Sequence, residues 1–316
     1  MSVPPDRLLV LERRVAALAA KRPDLADALT LQQELIRVVL ETARPPRAEA
    51  FPLPRDAVVA RVRDGVPLLH DQPVTLDINY AADVFSRMAN VLTERNDPEL
   101  ATRLEGLVTA ATSGLLDPER LFAEAFVQHQ EHVADLAATS GVDPELLATI
   151  GALSVAPLLR AYAAHLLPML ERVDDGSTRG AAWQRGYCPI CGAWPLLGEL
   201  RGVELALWLR CSACGGGWRA QRLTCAFCGN VDFHTLGSLV IEDESRFRIS
   251  VCERCKGYLK VGNAFDPPPP EFLAIDDVAS MHLDLAAVER GYQRPGGSGY
   301  RVELAVPESE WLEELA

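Results

Sequence analysis

The first 187 residues contain no cysteine, the chain has no basic excess, and no run approaches the roughly 20 apolar residues expected of a membrane-crossing helix. Each absence excludes something. A disulfide scaffold spreads its cysteines through a small secreted domain, and no charged segment followed by an apolar run and a small-residue cleavage site opens the chain, so a cytoplasmic protein with reduced thiols is expected. The 31 basic against 44 acidic residues give a net charge of -13, which repels a phosphate backbone and an anionic membrane surface alike. Neither nucleic acid nor membrane insertion is therefore expected. The pair Arg13-Arg14 is followed only by the short run Val15 to Ala20 before Lys21 and Arg22, which suits the surface of an amphipathic helix better than a twin-arginine export signal.

With 316 residues and 48% hydrophobic composition, the chain can bury one large or two medium cores. Residues 1–182 read as an all-helical domain, because apolar positions such as Leu8, Leu11, Val15 and Leu18 recur at three- and four-residue spacing. Three helix starts share one signal: Asp97-Pro98-Glu99, Asp117-Pro118-Glu119 and Asp143-Pro144-Glu145. In each, the Asp caps free amides, the Pro fits the first turn, and the Glu suits the positive end of the helix dipole. The proline-bearing stretch Ala43 to Arg55 predicts an extended connection, and Asp174 to Gly180 a break before the cysteines. Beyond residue 183, short runs such as Val203 to Leu209 and Phe247 to Val251 predict strands. Residues 266–316 read as a proline-rich connection, a helix from Asp276 to about Arg290, and a mobile, acidic end after Gly291. The expected class is α+β: a helical domain, two small metal modules over 183–222 and 223–265, and a C-terminal helix.

All eight cysteines fall in four C-x-x-C pairs: Cys188 and Cys191, Cys211 and Cys214, Cys225 and Cys228, Cys252 and Cys255. Nineteen residues separate the first two pairs and 23 the last two, close to the spacing of tetrahedral four-thiolate sites. Sequential pairing would give two consecutive hairpins each closed by a metal, and cross-bracing would join alternate pairs; the strands between pairs favour the sequential arrangement. Gly192, Gly215 and Gly229 directly follow a second cysteine, where a positive φ turns amides towards sulfur, whereas Lys256 stands in that place at the fourth pair and Gly257 comes one residue later. Four thiolates suit zinc or a single iron, and a closed shell leaves no open position for hydrolytic chemistry, so two bound metal ions and no enzymatic activity are expected. Metal loading would also remove the slight basic excess of this region, since eight thiolates and two divalent ions add about -4.

These pairs in their surroundings, Tyr187-Cys188-Pro189-Ile190-Cys191-Gly192, Cys211-Ser212-Ala213-Cys214, Cys225-Ala226-Phe227-Cys228-Gly229 and Cys252-Glu253-Arg254-Cys255-Lys256-Gly257-Tyr258, resemble the formate dehydrogenase accessory protein family, FdhE. Trp218, the segment Asp276 to Asp284 and Gly291-Tyr292 extend the resemblance. It implies rubredoxin-like metal modules, with iron associated with the sites, in a cytoplasmic factor that binds the catalytic subunit of a molybdenum or tungsten formate dehydrogenase before export. Two other functions compete on the residues alone: a rubredoxin-like electron carrier, which iron would permit and zinc exclude, and a zinc-ribbon nucleic-acid binder, which the acidic charge opposes. His129 and His132, with Glu131 beside them, lack a further ligand in the sequence and are expected on a partly exposed helix face. His282 is expected to pack, as are Phe227, Trp218 and Tyr258. Gly215-Gly216-Gly217 lacks the Lys and Ser or Thr of a phosphate loop.

Overall fold

The structure, a computed structural model, describes residues 5–42, 51, 53–95, 97–173, 183–241, 244 and 246–305. Most of the connection expected at Ala43 to Arg55, the break at Asp174 to Gly180 and the acidic end therefore lie outside the described residues. Among those described, eight helices come first: α1 (Pro5–Lys21), α2 (Ala26–Glu41), α3 (Arg55–Asp64), α4 (Ile78–Thr93), α5 (Pro98–Thr112), α6 (Pro118–Phe126), α7 (Gln130–Ser140) and α8 (Pro144–Glu171). The shared Asp-Pro-Glu signal opens α5, α6 and α8 as expected. Asp97 accepts from the amides of Glu99 and Leu100, Asp117 from those of Glu119 and Arg120, and Asp143 from that of Leu146.

The long helix α8 is buried along most of its length, with Leu147, Ile150, Val155 and Leu166 fully enclosed and α4, α6 and α7 packed around it. A helix apolar on all sides belongs inside a protein or inside a lipid bilayer. By length and composition alone α8 is long and apolar enough to cross a membrane, contrary to the expectation from apolar runs, but 67% of its most apolar window is buried within the protein.

Six strands follow: β1 (Pro195–Arg201), β2 (Ala206–Cys211), β3 (Gly217–Ala220), β4 (Leu236–Leu239), β5 (Phe247–Cys252) and β6 (Tyr258–Asn263). They form one sheet in the order β3-β2-β1-β6-β5-β4. Each half repeats the same plan, a cysteine pair, two antiparallel strands, a second cysteine pair and a third strand. The halves join where β1 runs parallel to β6, with Gly198 opposite Val261 and Leu200 opposite Asn263.

The C-terminal helix expected from Asp276 instead begins at Leu273 and breaks at Ser280 into α9 (Leu273–Ala279) and α10 (Met281–Val288). A buried cation docks at the break. Lys260, fully enclosed, donates to the carbonyls of Asp277 and Ser280 and pairs with the Asp277 and Asp284 carboxylates at 2.8 and 2.7 Å. The same two carbonyls also accept the Ser280 and Leu283 amides, so the ammonium sits where the chain tightens into three-residue turns. The α1–α2 hairpin packs against α9, Leu11, Val15 and Leu29 meeting Phe272 and Ile275, and Arg14 reaches the buried Asp276 carboxylate at 2.6 Å. Arg14 is thus a structural cation and not part of a plain helix surface.

Residues 292–305, expected to be mobile, run instead as a strap across the molecule. Gln293 donates to Lys256, Gly299 and Tyr300 donate to the Gly192 carbonyl, and Ala305 donates to Gln72, while Val302 is buried. Turn-forming composition suggests mobility, but Gln293, Gly299, Tyr300 and Ala305 find partners in the cysteine loops and the 70–72 loop.

Candidate metal centres

Each C-x-x-C pair forms a tight loop held by its own backbone. The Cys188 amide donates to Ala193 and the Gly192 amide back to Cys188, a pattern repeated by Cys225 with Asn230 and Gly229. Amides of Ile190, Cys214, Gly216 and Gly257 point at the sulfurs of Cys188, Cys211, Cys214 and Cys255, each at 3.4 Å. Positive φ falls at Gly192, Gly215 and Gly229, and at the fourth loop it falls on Lys256 itself, at +56°. Gly257 serves another purpose, because a Cβ there would meet the Phe227 ring at 2.7 Å.

The loops meet sequentially: Cys188, Cys191, Cys211 and Cys214 converge in one group, and Cys225, Cys228, Cys252 and Cys255 in another. Sulfur pairs stand 3.5 and 3.7 Å apart in the first and 3.7 and 3.8 Å apart in the second. The edge of a tetrahedron with metal–sulfur bonds of about 2.3 Å is about 3.8 Å, so both sets fit a four-thiolate ion such as zinc or iron. Charge makes the same point. In the first group burial pushes the Cys188 thiol up, while hydrogen bonds from Cys188, Cys211 and Cys214 hold Cys191 well below its ordinary range. A thiolate enclosed among buried thiols is the situation a cation relieves. In the second group burial raises Cys225, whereas Cys252, despite its own burial, is held at about 7 by the Cys255 amide, the Asn230 side chain and the Arg254 amide. Asn230, 3.6 Å from the Cys252 sulfur, was not singled out by spacing, although it directly follows Gly229.

A match to the family model described as FdhE, C-terminal domain spans residues 222–299, from just before the third cysteine pair into the strap. The chain is 28% identical over 256 residues to protein FdhE of Escherichia coli O127:H6, a match covering 77% of this chain and 73% of that one. It is 26% identical over 214 residues to the FdhE homolog of Aquifex aeolicus, covering 66% of this chain and 65% of that protein, just under two thirds of its length. The crystal structure of the FdhE protein from Pseudomonas aeruginosa superposes on 95% of both chains with a TM-score of 0.51 at 22% identity, which shows a shared fold. The chain is thus similar to FdhE proteins in sequence, and to one of them in fold.

The other residues singled out in the sequence take structural places. His282 lies between Glu244 and Arg22, and burial and the Arg22 charge lower its pKa. Trp218 and Tyr258 are buried, and Phe227 packs edge-on against Trp194. Gly215 and its neighbours form the second cysteine loop, with Pro270 at 2.5 Å from any Cβ placed on Gly215. Beside the second cysteine group, a groove of about 560 Å³ crosses the sheet face between the two halves, lined by Phe227, Leu236, Leu259 and Val261 with Arg222 and Arg248 as its charges. No sequence signal marked those arginines, because they become neighbours only when β5 pairs in the sheet.

His129 and His132 do have a further potential ligand, but it is not Glu131. His129 caps α7 from outside the helix, and both imidazole Nδ1 atoms lie 2.9 Å from Glu124 Oε2 on α6. Burial raises the Glu124 carboxyl, and the bonds from His132 and His129 outweigh that and lower it.

Proposed function

We propose that the chain is an accessory factor in formate dehydrogenase maturation. It binds the immature catalytic subunit of a molybdenum or tungsten enzyme in the cytoplasm before export and catalyses no reaction itself. The two four-cysteine groups hold iron or zinc and stiffen the sheet from which the subunit is recognised. The observation that carries this reading is the groove beside the second group, which falls almost wholly within the stretch matched to the FdhE C-terminal domain. Its apolar floor suits an extended partner segment, and Arg222 and Arg248, on a protein of net charge -13, suit a carboxylate on that segment. Tagged full-length protein is expected to retain the dehydrogenase catalytic subunit on co-purification. Arg248→Glu should weaken that capture with both metals still bound, and undiminished capture would put recognition elsewhere.

A second reading, a rubredoxin-like electron carrier, is favoured by one observation: Cys228 is exposed. An electron-transfer site must lie near the surface to meet its partner, and the second group reaches the surface at Cys228. Anaerobically purified protein that is coloured by sulfur-to-iron charge transfer and bleaches reversibly on reduction would support the carrier. Colourless protein holding zinc would exclude it.

A further inference from the structure

We propose that Glu124, His129 and His132 form a third metal site, separate from the cysteine groups, for a borderline divalent cation such as zinc or cobalt(II). The three potential donor atoms lie within 4.8 Å of one another. Both Nδ1 atoms meet a single carboxylate oxygen at 2.9 Å; neighbouring donors with bonds of about 2.1 Å stand about 3.0 Å apart around an octahedral ion and about 3.4 Å around a tetrahedral one, so an outward shift of about 0.5 Å or less admits the cation. Imidazole nitrogen with one carboxylate suits zinc, cobalt and nickel rather than magnesium or calcium.

The backbone is arranged to bring the three together. Glu124 sits on the last turn of α6, and the chain then reverses through Gln128 at φ +62°, so that His129 faces back towards it and His132 follows on the first turn of α7. Left-handed conformation at a residue other than Gly is uncommon and persists where its surroundings hold it. Here the holder is the first cysteine loop, since Gln128 Nε2 donates to the Cys191 carbonyl at 3.1 Å. The two imidazoles meet edge to face, centroids 5.2 Å apart.

One group competes with the cation. Arg301, on the strap, donates to His129 Nε2 at 3.3 Å and stands 3.5 Å from His132 Nε2. With the metal bound at Nδ1, each neutral ring carries its proton on Nε2, where it can no longer accept from Arg301. Arg301 is exposed and free to turn outward, so loading exchanges one cation for another and loosens the strap at that point.

The test uses the full-length chain with its cysteine groups filled with zinc, titrated with cobalt(II) and then assayed for metal after gel filtration. A third equivalent with the weak visible bands of nitrogen and oxygen ligands is expected. It should disappear in Glu124→Gln and in His132→Ala, and bind several-fold more tightly in Arg301→Ala. The proposal fails if no third equivalent binds, if it survives both the Glu124 and His132 substitutions, or if cobalt appears only with the strong sulfur charge transfer of exchange at cysteine. Circular dichroism of Glu124→Gln, whose amide keeps the shape of the carboxylate, separates loss of a ligand from loss of the fold.

Discussion

The two halves of the sheet repeat one plan, but they bury their cysteines differently. All four sulfurs of the first group are enclosed, and Cys188, Cys191, Cys211 and Cys214 belong to the same core as Leu147, Tyr162 and Leu166 of α8. Three separate segments clasp it: Leu68 and Leu69 donate to Pro189 and Ile190, Gln128 to Cys191, and the strap to Gly192. The second group sits at the edge, with Cys228 exposed and Cys255 half-buried, and it borders the open groove. The same ligand chemistry can therefore anchor a core in one copy of a repeat and present a surface in the other.

The sharpest way to break the comparison is Cys191→Ser. A four-thiolate structural ion contributes of order 10 kcal/mol to folding, as much as the roughly 5–15 kcal/mol margin of a whole domain. Because the first group shares its core with the helices, loss of its metal should unfold both the sheet and the helical half, read as loss of helical circular dichroism. Retention of two metals per chain by this variant would overturn the ligand assignment.

Cys228→Ser should do less. The second metal is expected to leave while the first stays, the helical half should still melt cooperatively, and capture of the dehydrogenase subunit should fall because the groove has lost one wall. The same asymmetry orders the response to a chelator: native mass spectrometry of the wild-type chain should pass through a one-metal species, and the remaining metal should be in the first group. Simultaneous loss of both ions would mean that the shared sheet, rather than exposure, controls release.

Much of this was legible in the residues. Asp97, Asp117 and Asp143 mark their helices because capping is local, and the cysteine spacing groups the sulfurs because each hairpin is closed by its own strands. What escaped depends on partners distant in the chain. Nothing near Ser280 announces that Lys260 will dock where the C-terminal helix breaks, and nothing near Arg301 announces two imidazoles 169 and 172 residues away. Glu124 falls outside any helical spacing with His129, because the turn at Gln128 reverses the chain between them. The fused sheet likewise depends on β6 returning to lie parallel to β1, a pairing no local pattern encodes.

The smallest expected effect concerns the one loop that departs from the repeat. Gly192, Gly215 and Gly229 occupy the left-handed position at +76°, +69° and +67°, where Lys256 holds +56°. An L-residue in that conformation costs about 1–2 kcal/mol, which Lys256→Gly would relieve. Against this stand the greater freedom of glycine in the unfolded chain, about 0.5–1 kcal/mol, and loss of the solvent-screened Lys256–Glu253 pair. Lys256 also lies 5.4 Å from the centre of the Tyr292 ring, a contact of similar small size at an exposed site. The terms nearly cancel, so Lys256→Gly should shift stability by no more than about 0.5 kcal/mol, with the second metal retained. Lys256→Asn separates the contributions, since asparagine tolerates the left-handed region and lacks the charge. If both variants lose the second metal on dilution, the ammonium beside the thiolates matters more than the backbone. If both keep it, the fourth loop is held by its amides and by the Phe227 ring against Gly257, and the lysine is dispensable.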